Sequence, residues 1–162
     1  MMRTGGEILV ANLLAQGATH AFCVPGESYL AVLDALYDVR DRLQLVVCRH
    51  EGGAAYMAEA TGKLTGRPGI AFVTRGPGAT NAASGIHVAQ QDSTPLILLV
   101  GQIGRDMGGR DAFQEVDYKQ FFGGMAKGIY EVHEGAKIGE IVTRSLRLAA
   151  EAADAIAHVG EE

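Results

Sequence analysis

The chain has 162 residues, 48% of them hydrophobic and 20% charged, with a formal charge of −5; this balance suits one domain with its own core and excludes a disordered or fibrous chain. The negative charge, and lysines and arginines scattered without a run, argue against a nucleic-acid-binding face. No apolar stretch reaches the roughly 18 residues of a membrane span, and the start lacks the layout of a signal peptide.

Cys23 and Cys48 sit in apolar runs without Cys-x-x-Cys spacing, which reads as two reduced thiols in a cytoplasmic protein and no metal site. Glycine is the compositional outlier. The 22 glycines are about twice ordinary usage and predict many tight strand-to-helix turns.

In chain order, residues 4–16 show helical spacing of Ile8, Leu9, Leu13 and Leu14, with Gly17 as a stop. A short apolar run, HAFCVPG, ends in a break at Pro25 and Gly26. Residues 28–36 read as a helix capped by Ser28. Residues 43–48 (LQLVVC) read as a buried strand, 52–64 as an alanine-rich helix and 69–74 (GIAFVT) as a second strand.

A glycine-rich turn and a helix of small residues to about Gln91 follow, then the buried strand PLILLV at 95–100. Residues 103–112 read as a mobile loop, 117–122 as a short helix and 125–132 as a strand. The amphipathic helix with Ile138, Ile141, Val142, Leu146 and Ala149 comes last. Short apolar runs alternating with helices imply an α/β fold, a three-layer α/β/α sandwich on a mainly parallel sheet, as one domain over 1–162.

Ligands of such sheets bind beyond the carboxyl ends of the strands. Three segments fall there: VPGES, RHEGG and TRGPGATN. Neither common phosphate motif is met, since Gly62-Lys63 is followed by Leu64, and Gly76-x-Gly78 leads to Asn81. A nucleotide-binding domain is disfavoured accordingly. Glu51, between a strand and Gly-Gly, fits a cleft carboxylate, although its spacing alone favours a helix-terminal acid held by the dipole. His50 reads as structural, and Thr80 and Asn81 as helix caps.

As strings, these segments resemble the acetolactate synthase-like branch of the thiamine diphosphate enzymes. The resemblance runs through VPGESYLAVLDAL, RHEGGAAYMAEATGKLTG, TRGPGATN, DSTPLILLVGQ and DAFQEVD, in family order, over residues 1 to about 135. It implies the family's N-terminal pyrimidine-binding domain. In that reading Glu51 hydrogen-bonds a ring nitrogen of the cofactor's aminopyrimidine and favours the imino tautomer, whose nitrogen takes the thiazolium proton.

The resemblance also puts Pro25, Gly26, Pro77, Gly78 and Asn81 against the pyrimidine. It makes Gln114 a catalytic candidate near the substrate, with Phe113 and Lys127 on the substrate side. A solvated lysine is an equal alternative for Lys127. The chain contains no Gly-Asp-Gly, so the magnesium and the diphosphate are expected on a separate domain or subunit, and flavin, used by some relatives, is not supported here.

The region 148–162 reads as helical and acidic, so the chain is expected to lack the family's last strand and to leave an open sheet edge. The implied function is the pyrimidine-side half of a 2-oxo-acid decarboxylase or carboligase, a lyase or transferase. It would need a diphosphate-binding partner, be inactive alone and form a homodimer or higher oligomer. The alternative is a non-catalytic module that self-associates or pairs with a full-length relative.

Overall fold

A computed structural model describes residues 3–151 and the backbone of 155–159. Helix α1 (Gly5–Ala15) starts from a capping box in which the Glu7 amide donates to Thr4 Oγ1 and the Thr4 amide to Glu7 Oε2. It buries Leu9, Val10 and Leu13. It stops before Gly17, whose φ of +82° suits glycine alone.

The remaining elements alternate: β1 (His20–Cys23), α2 (Leu30–Asp38), β2 (Gln44–Val47), α3 (Glu51–Thr65), β3 (Gly69–Thr74), α4 (Arg75–Asp92), β4 (Leu96–Gly101), α5 (Tyr118–Phe122), β5 (Gly128–Val132), α6 (Gly135–Ala150) and β6 (Ala155–Val159). The strands form one sheet in the order β2-β1-β3-β4-β6-β5, every pair parallel.

Alternation along the strands makes two cores. Ile70 and Phe72 of β3, with Ile97 and Leu99 of β4, face α1, α2 and α6. Ala71 and Val73, with Leu96, Leu98 and Val100, face α3, α4 and α5. A period of two with both faces apolar is what a sheet covered on both sides requires. This is the α/β three-layer sandwich that the element pattern implies.

Four local expectations are corrected. The run 43–48 forms a sheet-edge strand with only half-buried interior positions, because β2 pairs with β1 alone. Ser28 does not cap α2, which follows a 3-10 turn at Glu27–Tyr29. The glycine-rich turn at 75–81 is instead the start of α4, where Pro77 falls in the first turn and loses no helical hydrogen bond.

The fourth concerns the far end. α6 stops at Ala150, and 155–159 is a strand paired on both sides, with β4 and with β5. The expected missing last strand, and the open sheet edge its absence would leave, are therefore overturned, while 152–154 and 160–162 lie outside the described residues. The segment 103–112 is also more organised than a plain loop, since the Glu115 carboxylate accepts from the amides of Gly109 and Ala112. Those bonds hold the carboxyl below its usual range.

Candidate functional site

The chain leaves β1 through α2 to β2 on one side, then returns through α3 to β3 on the other side of β1. Their neighbouring carboxyl ends form the switch point where open α/β sheets hold ligands. The exits are tied together: Ser28 Oγ and Thr74 Oγ1 are 2.6 Å apart. A β-carbon on Gly26 would come within 2.5 Å of Thr74 Cβ, so VPGES packs directly on the end of β3.

Glu51 is the first residue of α3, capped by His50, whose Nδ1 accepts from the Gly52 amide at 3.0 Å. The residue is 9% exposed, and its carboxylate stands at the positive end of a helix. Asn81 Nδ2 donates to its Oε2 at 2.9 Å, and among the described residues that is the one hydrogen bond to the carboxylate. Oε1 faces Gly78, lying 3.5 Å from where a β-carbon would stand. Asn81 is thus an anchor from the second turn of α4, and neither it nor Thr80, which bonds back to the Pro77 carbonyl, caps a helix.

Tyr29 sits beside this carboxylate. Burial holds its phenol far above the ordinary tyrosine range, and the neighbouring Cys23 and Glu51 charges push the same way. Its hydroxyl therefore stays protonated and donates to the Val24 carbonyl. The ring stacks on Phe72, with centroids 6.0 Å apart.

The structure gathers most of the sequence-picked residues. Pro25 and Gly26 follow β1, Glu51 opens α3, and Pro77, Gly78 and Asn81 lie along the first turns of α4. Gln114 joins them from the loop after β4, its carbonyl accepting from the Gly76 amide at 3.0 Å. Phe113 beside it is 77% exposed.

Lys127 is not brought in. It precedes β5, on the opposite edge strand from β2 and at the amino ends of the strands, about one strand length, roughly 16 Å, from the carboxyl edge. Ser28, Tyr29 and Arg75 are residues that spacing missed. Their roles depend on β1 and β3 being neighbours, which no local pattern states. The only local sign is a large cation wedged between a strand and Gly-Pro-Gly.

Among the described residues, no three or more His, Cys, Asp or Glu side chains come together as a metal site, and no helix is long and apolar enough to cross a membrane.

Residues 3–121 match the family model for the thiamine pyrophosphate enzyme N-terminal TPP binding domain. The chain is 40% identical over 145 residues to an acetolactate synthase of Bacillus subtilis (strain 168), covering 90% of this chain and 25% of that protein. It is 38% identical over 149 residues to acetolactate synthase isozyme 3 large subunit of Escherichia coli (strain K12), covering 92% and 26%. With the mitochondrial acetolactate synthase catalytic subunit of Aspergillus candidus it shares 43% over 115 residues, covering 71% and 16%. The chain thus spans about a quarter of the length of the two bacterial relatives and less of the fungal one. A buried carboxylate at the switch point and a family match across most of the chain agree: this chain belongs to the thiamine pyrophosphate enzymes, as their N-terminal TPP binding domain.

Proposed function

We propose that the chain supplies the pyrimidine side of a thiamine diphosphate site in a 2-oxo-acid decarboxylase or carboligase. The observation that carries this is Glu51, buried at a helix start with one oxygen anchored by Asn81 and the other facing the empty position of Gly78. The residues present fit an aminopyrimidine: an acceptor with a free oxygen, an α-carbon-only wall at Gly78, and apolar packing from Val73 behind it.

Glu51 Oε1 would hold the proton at a ring nitrogen, Asn81 would fix the carboxylate's direction, and Tyr29, Pro25 and Gly26 would exclude water on the β1 side. Gln114 and Phe113 would face the substrate from the loop after β4. When bound, the cofactor supplies the electron sink for chemistry next to a carbonyl.

Its diphosphate and magnesium would be held by another domain or subunit. The outer face of α3 supports such a pairing: Tyr56, Met57 and Leu64 are all exposed at helical spacing, and Leu64 is 86% exposed. The same stripe favours a second reading, a module that pairs without catalysis.

The test combines the chain with a diphosphate-binding partner and measures cofactor binding and turnover of pyruvate. Wild type should act only with the partner, and Glu51→Gln should lose about 10²-fold or more. Equal turnover in the variant would sink the enzyme reading and leave the pairing module.

A further inference from the structure

Arg75 is the residue at which β3 turns into α4, and it does so with φ +34°, in the region a β-carbon disfavours. Thr74 before it is still extended. Gly76 after it has no room for a side chain: a β-carbon would lie 2.7 Å from Val116 Cγ2 and 2.8 Å from the Gln114 carbonyl oxygen. A strained strand-to-helix elbow of this kind presents one side chain at the carboxyl edge of a sheet. Here that side chain is a guanidinium, and the edge is the switch point.

Its hydrogen bonding is incomplete. A guanidinium carries five N–H donors and no acceptor. Among the described residues Arg75 makes one side-chain hydrogen bond, from Nη1 to Glu27 Oε1 at 3.1 Å, while its Nε is buried with no partner. The Arg75 side chain is 14% exposed and that of Glu27 71%. A largely buried cation is therefore answered by a carboxylate that sits mostly in water. Tyr118 lies close enough for the Arg75 charge to favour its ionisation, against a burial that keeps the phenol neutral. Leftover buried donors are uncommon in folded proteins, and a cation so poorly matched favours a second anion that reaches it.

We propose that Arg75 is an anion-recognition residue of this switch point, taking the carboxylate of a small organic acid in place of Glu27. Glu27 is then the internal occupant that the ligand displaces. The planar fork suits a carboxylate better than a spherical anion. Under the function proposed above, that carboxylate belongs to the 2-oxo acid; the inference rests on that reading for the ligand's identity.

The test needs no cofactor. The full chain, labelled with ¹⁵N, is titrated with pyruvate, with sodium chloride at equal ionic strength as the control. The Nε–Hε signal of Arg75 and the amides of Gly76 and Tyr118 are followed. Pyruvate should shift them saturably and chloride should not. Glu27→Gln should tighten binding at least threefold by removing the competitor, and Arg75→Lys should weaken it at least tenfold.

Unchanged or weaker binding in Glu27→Gln, or the same shifts with chloride, overturns the proposal. Glu27 is mostly exposed, so this arm stands even if the Arg75 variant fails to fold. Glu51 is untouched throughout. Failure here leaves the cofactor reading to its own test, and loss of that reading leaves the anion titration standing.

Discussion

A β-carbon at Gly78 would stand 3.1 Å from Val73 Cβ and 3.5 Å from Glu51 Oε1, the first tight and the second ordinary contact. Alanine at this place in α4 gains about 1 kcal/mol of helix propensity over glycine, which offsets part of the crowding against Val73. Gly78→Ala should therefore move the urea midpoint little, a change within about 1 kcal/mol. It should still weaken cofactor binding in the paired enzyme, because the methyl occupies the space before the free carboxylate oxygen. A stability loss without an affinity loss would show that Oε1 does not face the ligand. The limits of sequence reading are visible at these residues. Glu51 and Asn81 meet across 30 positions, and spacing leaves the first as a helix-terminal acid and the second as a cap. The string resemblance singles out both. It runs through Ser28, Tyr29 and Arg75 but gives them no role, because their neighbours come from the adjacency of β1 and β3.

At the scale of elements, α3 crosses the sheet at a point where only glycine fits. A β-carbon on Gly69, the first residue of β3, would lie 1.8 Å from the Ala58 carbonyl oxygen, which is helix backbone and cannot swing away. Gly53, on the outer face of the same helix, would meet nothing within 4 Å. One substitution should then have opposite effects: Gly69→Ala destabilising by about 3 kcal/mol or more, and Gly53→Ala stabilising by up to about 1 kcal/mol. Urea unfolding of the two variants against wild type checks both signs. The strands β3 and β4 were legible because both their faces are apolar and turn residues bound them. LQLVVC looked equally buried, since composition cannot tell a central strand from an edge one. GPGATN looked like a turn because glycine and proline punctuate loops more often than they open helices. The alanine-rich end looked helical by propensity, and β4 and β5 pairing with 155–159 overrides it.

For the whole molecule, a parallel sheet covered on both faces places ionisable groups of its strands in low dielectric, and this has a pH consequence. Cys23, at the end of β1, is fully buried, and burial, with the Cys48 charge adding, pushes its thiol from 9.0 up to about 11. Between those values the unfolded chain has released the thiol proton and the folded one has kept it. The unfolded state then binds fewer protons, so stability falls as pH rises. The stabilisation is fully present below pH 9 and is lost progressively toward pH 11. By then the loss from this group is roughly 2 to 3 kcal/mol at the exchange rate of 1.36 kcal/mol per pH unit. Tyr29 and Tyr118, both raised by burial, extend the same trend to higher pH. The chain has no tryptophan, so far-ultraviolet circular dichroism is the probe of choice for urea unfolding, under reducing conditions at pH 8 and 10.5. Wild type should lose stability between the two, and Cys23→Ala, whatever its starting stability, should lose less. An equal fall in the variant would assign the alkaline sensitivity to the tyrosines and not to the buried thiol of β1.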